Sequence, residues 1–519
     1  MERRRVAEER PRGAGIRGRS FPPLFAVLLL LALTAAVYSP VTGFDFVNFD
    51  DDRYVTRNEA VRGGLSARGV SWALTDLGSG NWHPLTWLSH LTDVELFGLD
   101  AGGHHAVSLL LHLANTALLF AALRALTGAP WPSAAAAALF ALHPLHVESV
   151  AWVSERKDVL SALFWMLGLL AYARYARRPS PARYAWVAAA LALGLAAKAM
   201  LVTLPLVLLL LDWWPLGRLR AAGSGPGAPS PAAAARALFL EKIPLLLLSG
   251  LAGAITLAAQ RGVPLLVPLE VRETAARVSN ALWGYLWYLG KTLWPSSLAV
   301  YYPFPAGGPP LGKTVLAALV LAAVTLLVLR GRRSRPALAV GWLWFLVVLA
   351  PVIGLIQAGN QAVADRYTYL PLIGLFLAAA WGVGDPRRRW PAPRAVTAAL
   401  SAVTLAAVAA LALASSLQVR HWRNSRTLFE RAVEVTPAHP VTLNNLANAL
   451  TAEGRDEEAI ALYRRALLIR PDAIVHANLG AALLRVGRLG EARESLREAL
   501  ARDPRLEEVR RTLAALPRE

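Results

Sequence analysis

Apolar residues along this chain gather into long blocks separated by short polar or arginine-rich connections, not into the alternation of a half-buried strand. Leu- and Ala-rich runs occupy 22–39, 105–126, 132–148, 158–173, 184–197, 199–214, 238–258, 281–294, 314–330, 337–356, 366–384 and 395–417. Such blocks predict membrane-spanning helices, although several fall short of the ~20 residues that an untilted span needs. From His421 onward the pattern turns to charged, amphipathic helix and becomes repetitive. The expected fold class is all-α: a polytopic membrane helical bundle followed by a C-terminal α-solenoid.

The repeat is legible residue by residue. Leu446, Gly454, Ala459, Tyr463, Ala466 and Pro471 precede Leu479, Gly487, Ala492, Leu496, Ala499 and Pro504 by 33 positions. Phe429, Ala432 and Pro437 match the end of an earlier partial unit, 34 residues upstream. Small residues that let paired helices approach, with proline ending the second helix, resemble the tetratricopeptide repeat (TPR). Repeats are expected at about 440–472 and 473–505, with a partial unit before them and a capping helix at 505–516. That barely meets the ~3 units a solenoid needs to hold a core. Such a tail binds proteins or peptides, or caps the membrane domain.

Composition fixes the topology more than the chemistry. The chain is 55% hydrophobic and 17% charged, with a net charge of +19 from 54 basic and 35 acidic residues. The arginines sit in short tracts between apolar blocks, so they read as topology signals and not as a nucleic-acid surface. With the basic leader 1–20 in the cytoplasm as part of a retained signal anchor, the tracts at 174–183 and 218–236 fall on the same side. The tracts at 330–335 and 385–394 do so only if the Trp- and Tyr-rich run 281–294 is interfacial or re-entrant. That reading gives about eleven crossings within a transmembrane domain at 21–417, and an external domain at 418–519. The first external loop is then 40–104, and the expected location is the cell (inner) membrane with the TPR tail periplasmic. Zero cysteines exclude disulfides, thiol catalysis and thiolate metal sites.

Most of the unusual polar residues fall on the external face. Asp50 and Asp51 follow the first helix at the lipid boundary, where a carboxylate can act as general base or orient an acceptor; an acidic loop that pairs with arginines is the plainer alternative. Seven of the ten histidines lie between 83 and 146. His83 and His104, beside Pro and Gly, are candidates for ligand contact, while His112 reads as a packing residue. The stretch 141–160 carries His143, His146, Glu148, Glu155, Arg156, Lys157 and Asp158. No metal is expected there, because Pro144 breaks the helical spacing of His143, His146 and Glu148 and no fourth ligand is evident. Arg156 and Lys157 suit a lipid phosphate, or else pair with Glu155 and Asp158. Lys198 sits between apolar runs, where burial costs about 2.5 kcal/mol or more unless it is paired. Arg366 opens another run, where it can meet phosphate or pair with Asp365.

Several stretches resemble one family in this order: VNFDDDRYV (47–55), NWHPLTWLSH (81–90), LFGLDAGGHHAVSLLLHLANTALLF (96–120), ALHPLHVESVAWVSERKDVLS (141–161), ADRYTYLP (364–371) and HWRNSRTLFERAVEVTP (421–437). They are similar to bacterial relatives of the transmembrane and tetratricopeptide repeat-containing O-mannosyltransferases, within the GT-C class of polytopic glycosyltransferases. The long HPLHVESVAWVSERKDVL match is specific; Phe-Asp-Asp alone is weak.

The resemblance implies a GT-C-like membrane domain and transfer of a mannose-like sugar from a polyprenyl-phosphate donor to a protein or glycan hydroxyl outside the cell, with inversion. It implies Asp50 and Asp51 as the catalytic pair; the residues themselves suggest Arg156, Lys157 and Arg366 as donor-phosphate ligands and His83, His104, His143, His146, Glu148, Lys198 and Tyr367 as substrate contacts. No cofactor is expected. The partners are the lipid donor, the acceptor, membrane lipid and a protein on the TPR tail, without nucleic acid. Animal members carry longer repeat arrays, so the short tail leaves the acceptor type open. The rival readings are a non-catalytic membrane scaffold for envelope proteins and a lipid or polysaccharide transporter.

Overall fold

The computed structural model describes residues 23–78, 80–221, 230–261, 273–355, 359–384 and 394–517. The leader 1–20 and the arginines at 387–389 lie outside the described residues, as do the middle of the 218–236 connection and parts of the external stretches 259–313 and 357–371.

The apolar runs fold as helices Pro23–Tyr38, Ala101–Thr127, Pro130–Leu142, Arg156–Arg177, Pro181–Ala197, Leu204–Trp213, Pro231–Arg261, Thr274–Leu293, Leu311–Arg330, Pro336–Leu349, Leu372–Gly384 and Arg394–Arg420. Proline opens Pro130–Leu142, Pro181–Ala197 and Pro336–Leu349, at positions where a missing N–H costs nothing. Ser180 caps the second of these by accepting from the Arg183 N–H. Among the described residues, six helices are long and apolar enough to cross a membrane, or seven if the pair Pro130–Leu142 and Pro144–Ala151, bent by 56°, is one span. About eleven were expected. The others fall among shorter apolar helices, such as Pro181–Ala197, which ends at Lys198, and Leu372–Gly384, which begins after the turn Asp365–Thr368. The aromatic run 281–294 belongs to one continuous helix, Thr274–Leu293, that carries Arg277 and Lys291 and is not apolar enough to count as a span.

Two buried features lock the bundle. At Gly341 and Gly374, helices Pro336–Leu349 and Leu372–Gly384 approach so closely that a Cβ on either glycine would meet the other's carbonyl oxygen. Small residues permit such contact where lipid supplies no hydrophobic drive between helices. The second feature is a charge cluster: Asp212 accepts from Lys242 (2.8 Å), Arg218 (3.0 Å) and the Tyr172 hydroxyl (2.5 Å), while Glu241 holds Arg218 at 2.7 Å. It joins three helices at the end of Arg156–Arg177 remote from Arg156, about 24 Å along the axis at 1.5 Å per residue.

The stretch expected to be the first external loop is folded. After a turn at Ser39–Gly43, helices Glu59–Arg62, Ala67–Thr75 and Pro84–Phe97 enclose a small core of Tyr54, Val55, Val61, Ala73, Trp87 and Leu91, to which Val153 is added from the membrane domain. The tail forms helices Ser425–Val435, Pro440–Ala452, Asp456–Ile469, Ala473–Arg485, Leu489–Arg502 and Glu507–Ala515. Gly454 and Gly487, equivalent in the repeat, turn the chain between helices at φ 78° and 77°, a conformation that glycine adopts without strain.

Overpacking a helix contact costs about 1–3 kcal/mol. Gly374→Ala should therefore lower the thermal unfolding midpoint in detergent by several degrees. Gly250→Ala, whose added Cβ meets nothing within 4 Å, should leave it unchanged or slightly raised.

Candidate functional site: a charge network beside the first external loop

Asp50 stands at φ 68°, in the left-handed region that aspartate tolerates better than most residues. Its neighbour Asp51 holds the loop in that shape. The buried Asp51 carboxylate accepts from Val47 N (2.9 Å), Ser154 N (2.9 Å) and Ser154 Oγ (2.5 Å). Trp152 Nε1 donates to Phe49 O at 2.9 Å, and the two rings stack at 5.1 Å. The loop is thereby fixed against residues 152–154 and leaves Asp50 half-buried. Burial pushes the Asp51 carboxyl up to about 7, against the pull of its three donors.

Next to this loop, three acids and three cations interlock where the helix at 130–151 is broken. Arg366 binds Glu148 at 2.5 Å and Glu155 at 3.2 Å, Lys157 binds Glu155 at 3.1 Å, and Lys198 binds Glu155 at 3.2 Å and Asp158 at 2.5 Å. The exposures differ in a way that decides orientation. Side chains of Glu148, Glu155 and Asp158 are 2%, 4% and 7% accessible, against 12%, 13% and 18% for Arg366, Lys157 and Lys198. The acids hold the cations from behind and leave the cationic heads outermost. Asp50 is among the charges attracting Lys157, whose ammonium sits 4.6 Å above the Tyr54 ring. Arg366 also lies over the Trp152 ring, at 5.3 Å. Asp365 does not pair with Arg366 as expected; it accepts from the Tyr302 hydroxyl at 2.9 Å.

A cavity of about 300 Å³ opens beside the network. Its lining mixes the polar side chains of Lys198, Tyr367, Asn81 and Gln361 with the apolar ones of Met200, Leu257 and Val352. A larger groove, about 370 Å³, lies between helices Arg156–Arg177 and Pro181–Ala197 and contains none of the candidate residues.

Five of the expected site residues are buried in packing or pairing. Arg156 has no face for a phosphate: fully enclosed, it contacts Asp93 at 2.7 Å and donates to Ser89 Oγ (2.8 Å), His104 O (2.6 Å) and Ser108 Oγ (3.0 Å). It ties the first external unit to helix Ala101–Thr127. His143 and His146 are packing residues; their rings turn to Thr292 O (3.0 Å) and Phe140 O (2.7 Å), brace the helix break, and do not converge with Glu148. His104 is buried in the first turn of its helix, with Nε2 on Gly98 O at 3.1 Å. His83 is buried too, stacked on Tyr54 at 5.7 Å and packed on Trp87 at 4.7 Å, and burial lowers its pKa to about 3. Tyr367 accepts from Gln361 Nε2 at 3.0 Å at the cavity wall. Sequence reasoning missed Ser154, an ordinary serine in WVSERK, and Asp93, which nothing in SHLTDVELF sets apart from Glu95.

The TPR tail touches the Asp50 loop directly. Asn48 N donates to Ser425 Oγ at 2.8 Å, its side chain donates to Asn445 O at 3.2 Å, and Asp45 N donates to Arg423 O at 3.0 Å. Phe49 packs edge-on to Phe429 at 5.7 Å, and Trp152 meets Trp422 at 5.8 Å.

Because the folded pKa of Asp51 lies above its unfolded value, the folded protein holds that proton more tightly. The resulting stability is full below 3.8 and is lost as pH rises through about 7. Thermal midpoints recorded between about pH 4 and pH 8 should fall more steeply for wild type than for Asp51→Asn. Parallel curves would sink this assignment.

The dolichyl-phosphate-mannose-protein mannosyltransferase family model matches residues 85–221, the segment that holds Glu148, Glu155, Lys157, Asp158 and Lys198, and a tetratricopeptide repeat model matches 439–505. Protein O-mannosyl-transferase TMTC1 of Homo sapiens is 26% identical over 513 residues, covering 88% of this chain and 56% of its own length. Protein O-mannosyl-transferase Tmtc2 of Drosophila melanogaster is 38% identical over 186 residues, 34% of this chain and 20% of its own. Among solved structures, ArnT from Cupriavidus metallidurans bound to undecaprenyl phosphate aligns over 91% of this chain and 79% of its own, at TM-score 0.38 and 17% identity. The chain spans about half the length of the curated relatives that it matches along most of its extent. A membrane segment matched by the mannosyltransferase model, joined to tetratricopeptide repeats and aligned over most of its length with such proteins, makes this chain similar to the transmembrane and tetratricopeptide repeat-containing protein O-mannosyl-transferases.

Proposed function

We propose that this multi-pass membrane protein is a GT-C-type glycosyltransferase that moves a mannose-like monosaccharide from a polyprenyl-phosphate donor to a protein or glycan hydroxyl on the external face, with inversion. The reading places the N-terminus in the cytoplasm and the TPR tail outside the cell (inner) membrane. One observation carries it: Asp50, on a pinned loop, is within electrostatic reach of Lys157, in a network whose cations are backed by buried acids and whose Lys198 lines a cavity of mixed polar and apolar lining. The polar lining suits a sugar phosphate and the apolar lining the start of a lipid tail.

In the proposed reaction the acceptor hydroxyl gives its proton to an Asp50 oxygen while its own oxygen bonds to the anomeric carbon. The bond from that carbon to the phosphate oxygen breaks on the opposite face, and its electron pair leaves with the polyprenyl phosphate. A single displacement of this kind inverts the centre. The added negative charge falls to Arg366, Lys198 and Lys157, whose positions are set in advance by Glu148, Glu155 and Asp158. Contact between Asn48 and the helix Pro440–Ala452 favours a protein acceptor, since a chain lying on that helix ends beside the Asp50 loop.

Asp50→Asn keeps the shape but cannot take the proton, so transfer by purified protein in lipid, assayed with radiolabelled polyprenyl-phosphate sugars, should fall by about two or more orders of magnitude. Arg366→Ala should raise the donor concentration needed, because a bidentate cation is lost. Arg156→Ala should fail through misfolding instead. Near-normal transfer by Asp50→Asn in a folded protein would return the chain to the scaffold reading.

A further inference from the structure

His90, Asp93 and His104 lie outside the network above. His90 and Asp93, three residues apart, share one face of helix Pro84–Phe97, and His104 comes from the first turn of Ala101–Thr127 after the chain reverses at Gly98, φ 60°. One ligand atom from each lies within 4.8 Å of the others, and all three residues are buried. We propose that this trio binds a zinc-class divalent ion, which fastens the first external unit to the membrane domain. The proposal does not depend on the glycosyltransferase reading.

Two independent observations point to a cation. His104 Nε2 faces a carbonyl oxygen, Gly98 O, at 3.1 Å, so it carries the hydrogen and leaves a lone pair on Nδ1. That lone pair faces Asp93 Oδ2 at 3.4 Å, which places two acceptors against each other. His90, with 0% exposure, has no hydrogen-bond partner on either ring nitrogen. Buried polar atoms are seldom left so, and three converging acceptors are what a metal ion needs. A tetrahedral set with bonds of about 2.0 Å has edges of about 3.3 Å. The His104–Asp93 pair already fits, and His90 needs only a small swing inward.

The outer partners fit as well. A ligating histidine commonly donates its other nitrogen to a backbone carbonyl, as His104 does, and a ligating carboxylate is held by a neighbour, as Arg156 holds Asp93 at 2.7 Å. Arg156 lies 2.7 Å from Asp93 Oδ2, the oxygen that also faces His104, so the ion would share that oxygen with Arg156 or take Oδ1. Its positive charge opposes the metal. The site therefore discriminates: an ion that gains from imidazole nitrogen, Zn²⁺, offsets that repulsion, whereas Mg²⁺ and Ca²⁺ do not.

The full chain, purified in detergent and stripped with a chelator, would be loaded with zinc chloride, desalted and measured by elemental mass spectrometry. Wild type should retain about one zinc per chain, should show no comparable uptake of magnesium or calcium, and should unfold at a higher temperature with zinc than without. His90→Ala is the informative variant: the ring it removes makes no hydrogen bond, so its cost is the packing lost against Tyr54, Trp87 and His104, and the protein that remains folded should lose both the zinc and the thermal shift. His476→Ala, on the tail, should lose neither. If wild type retains no zinc, or His90→Ala retains as much as wild type, the proposal is overturned and the trio shares a proton instead. X-ray absorption of the zinc-loaded protein gives a second readout, since two imidazoles should appear in the coordination shell.

Discussion

Three carboxylates buried at the mouth of a membrane bundle must each be neutralised, and the site follows from how the fold meets that demand. Glu148, Glu155 and Asp158 cannot remain charged in such surroundings without cations at contact distance. The cations come from three separate places in the chain: Lys157 from the same turn, Lys198 from the break after Pro181–Ala197, and Arg366 from the turn before Leu372–Gly384. Lys198 and Arg366 each lie at a break beside a short apolar helix, and Lys157 in the first turn of a long one. The breaks between helices are thus the points that bring charge together at this end of the bundle. Straight, full-length helices here would separate the partners and leave each charge alone.

The same demand explains what was legible in the sequence and what was not. Every apolar run became a helix, because Leu- and Ala-rich stretches bounded by Pro and Gly have one way to satisfy their backbone groups in lipid. The repeat register in the tail was readable for a similar reason: Gly454 and Gly487 mark turns that need the left-handed region. Arg156 misled because its acidic neighbours in sequence, Glu155 and Asp158, are not its partners in the fold. Asp93, Ser89 and Ser108 are 48 to 67 residues away, and only packing brings them to it. Lys198 was understood correctly as costly unless paired, and its partners Glu155 and Asp158 were in view, but nothing local tied them together. His143 and His146 looked like ligands because they flank Pro144. In the fold, the proline ends a helix and the histidines fill the hydrogen bonds that the break leaves open.

Asp51 and Asp50 divide one short stretch between two tasks. Asp51 is spent on geometry, its oxygens taken by Val47 and Ser154. Asp50 is held in a strained conformation with its side chain half-buried. Adjacent identical residues give no hint of this division until the partner 103 residues away is known.

The docking of the tail has a consequence for what the protein would select. Helix Pro440–Ala452, whose Asn445 carbonyl receives the Asn48 amide, is 13 residues long, or about 20 Å. An extended polypeptide covers that length in about six residues. On the proposed reading, an acceptor held on this helix presents one hydroxyl at a set reach from its anchored segment. The tail then works as a ruler, and the position of a serine or threonine relative to a docked segment, more than the residues around it, decides whether it is modified.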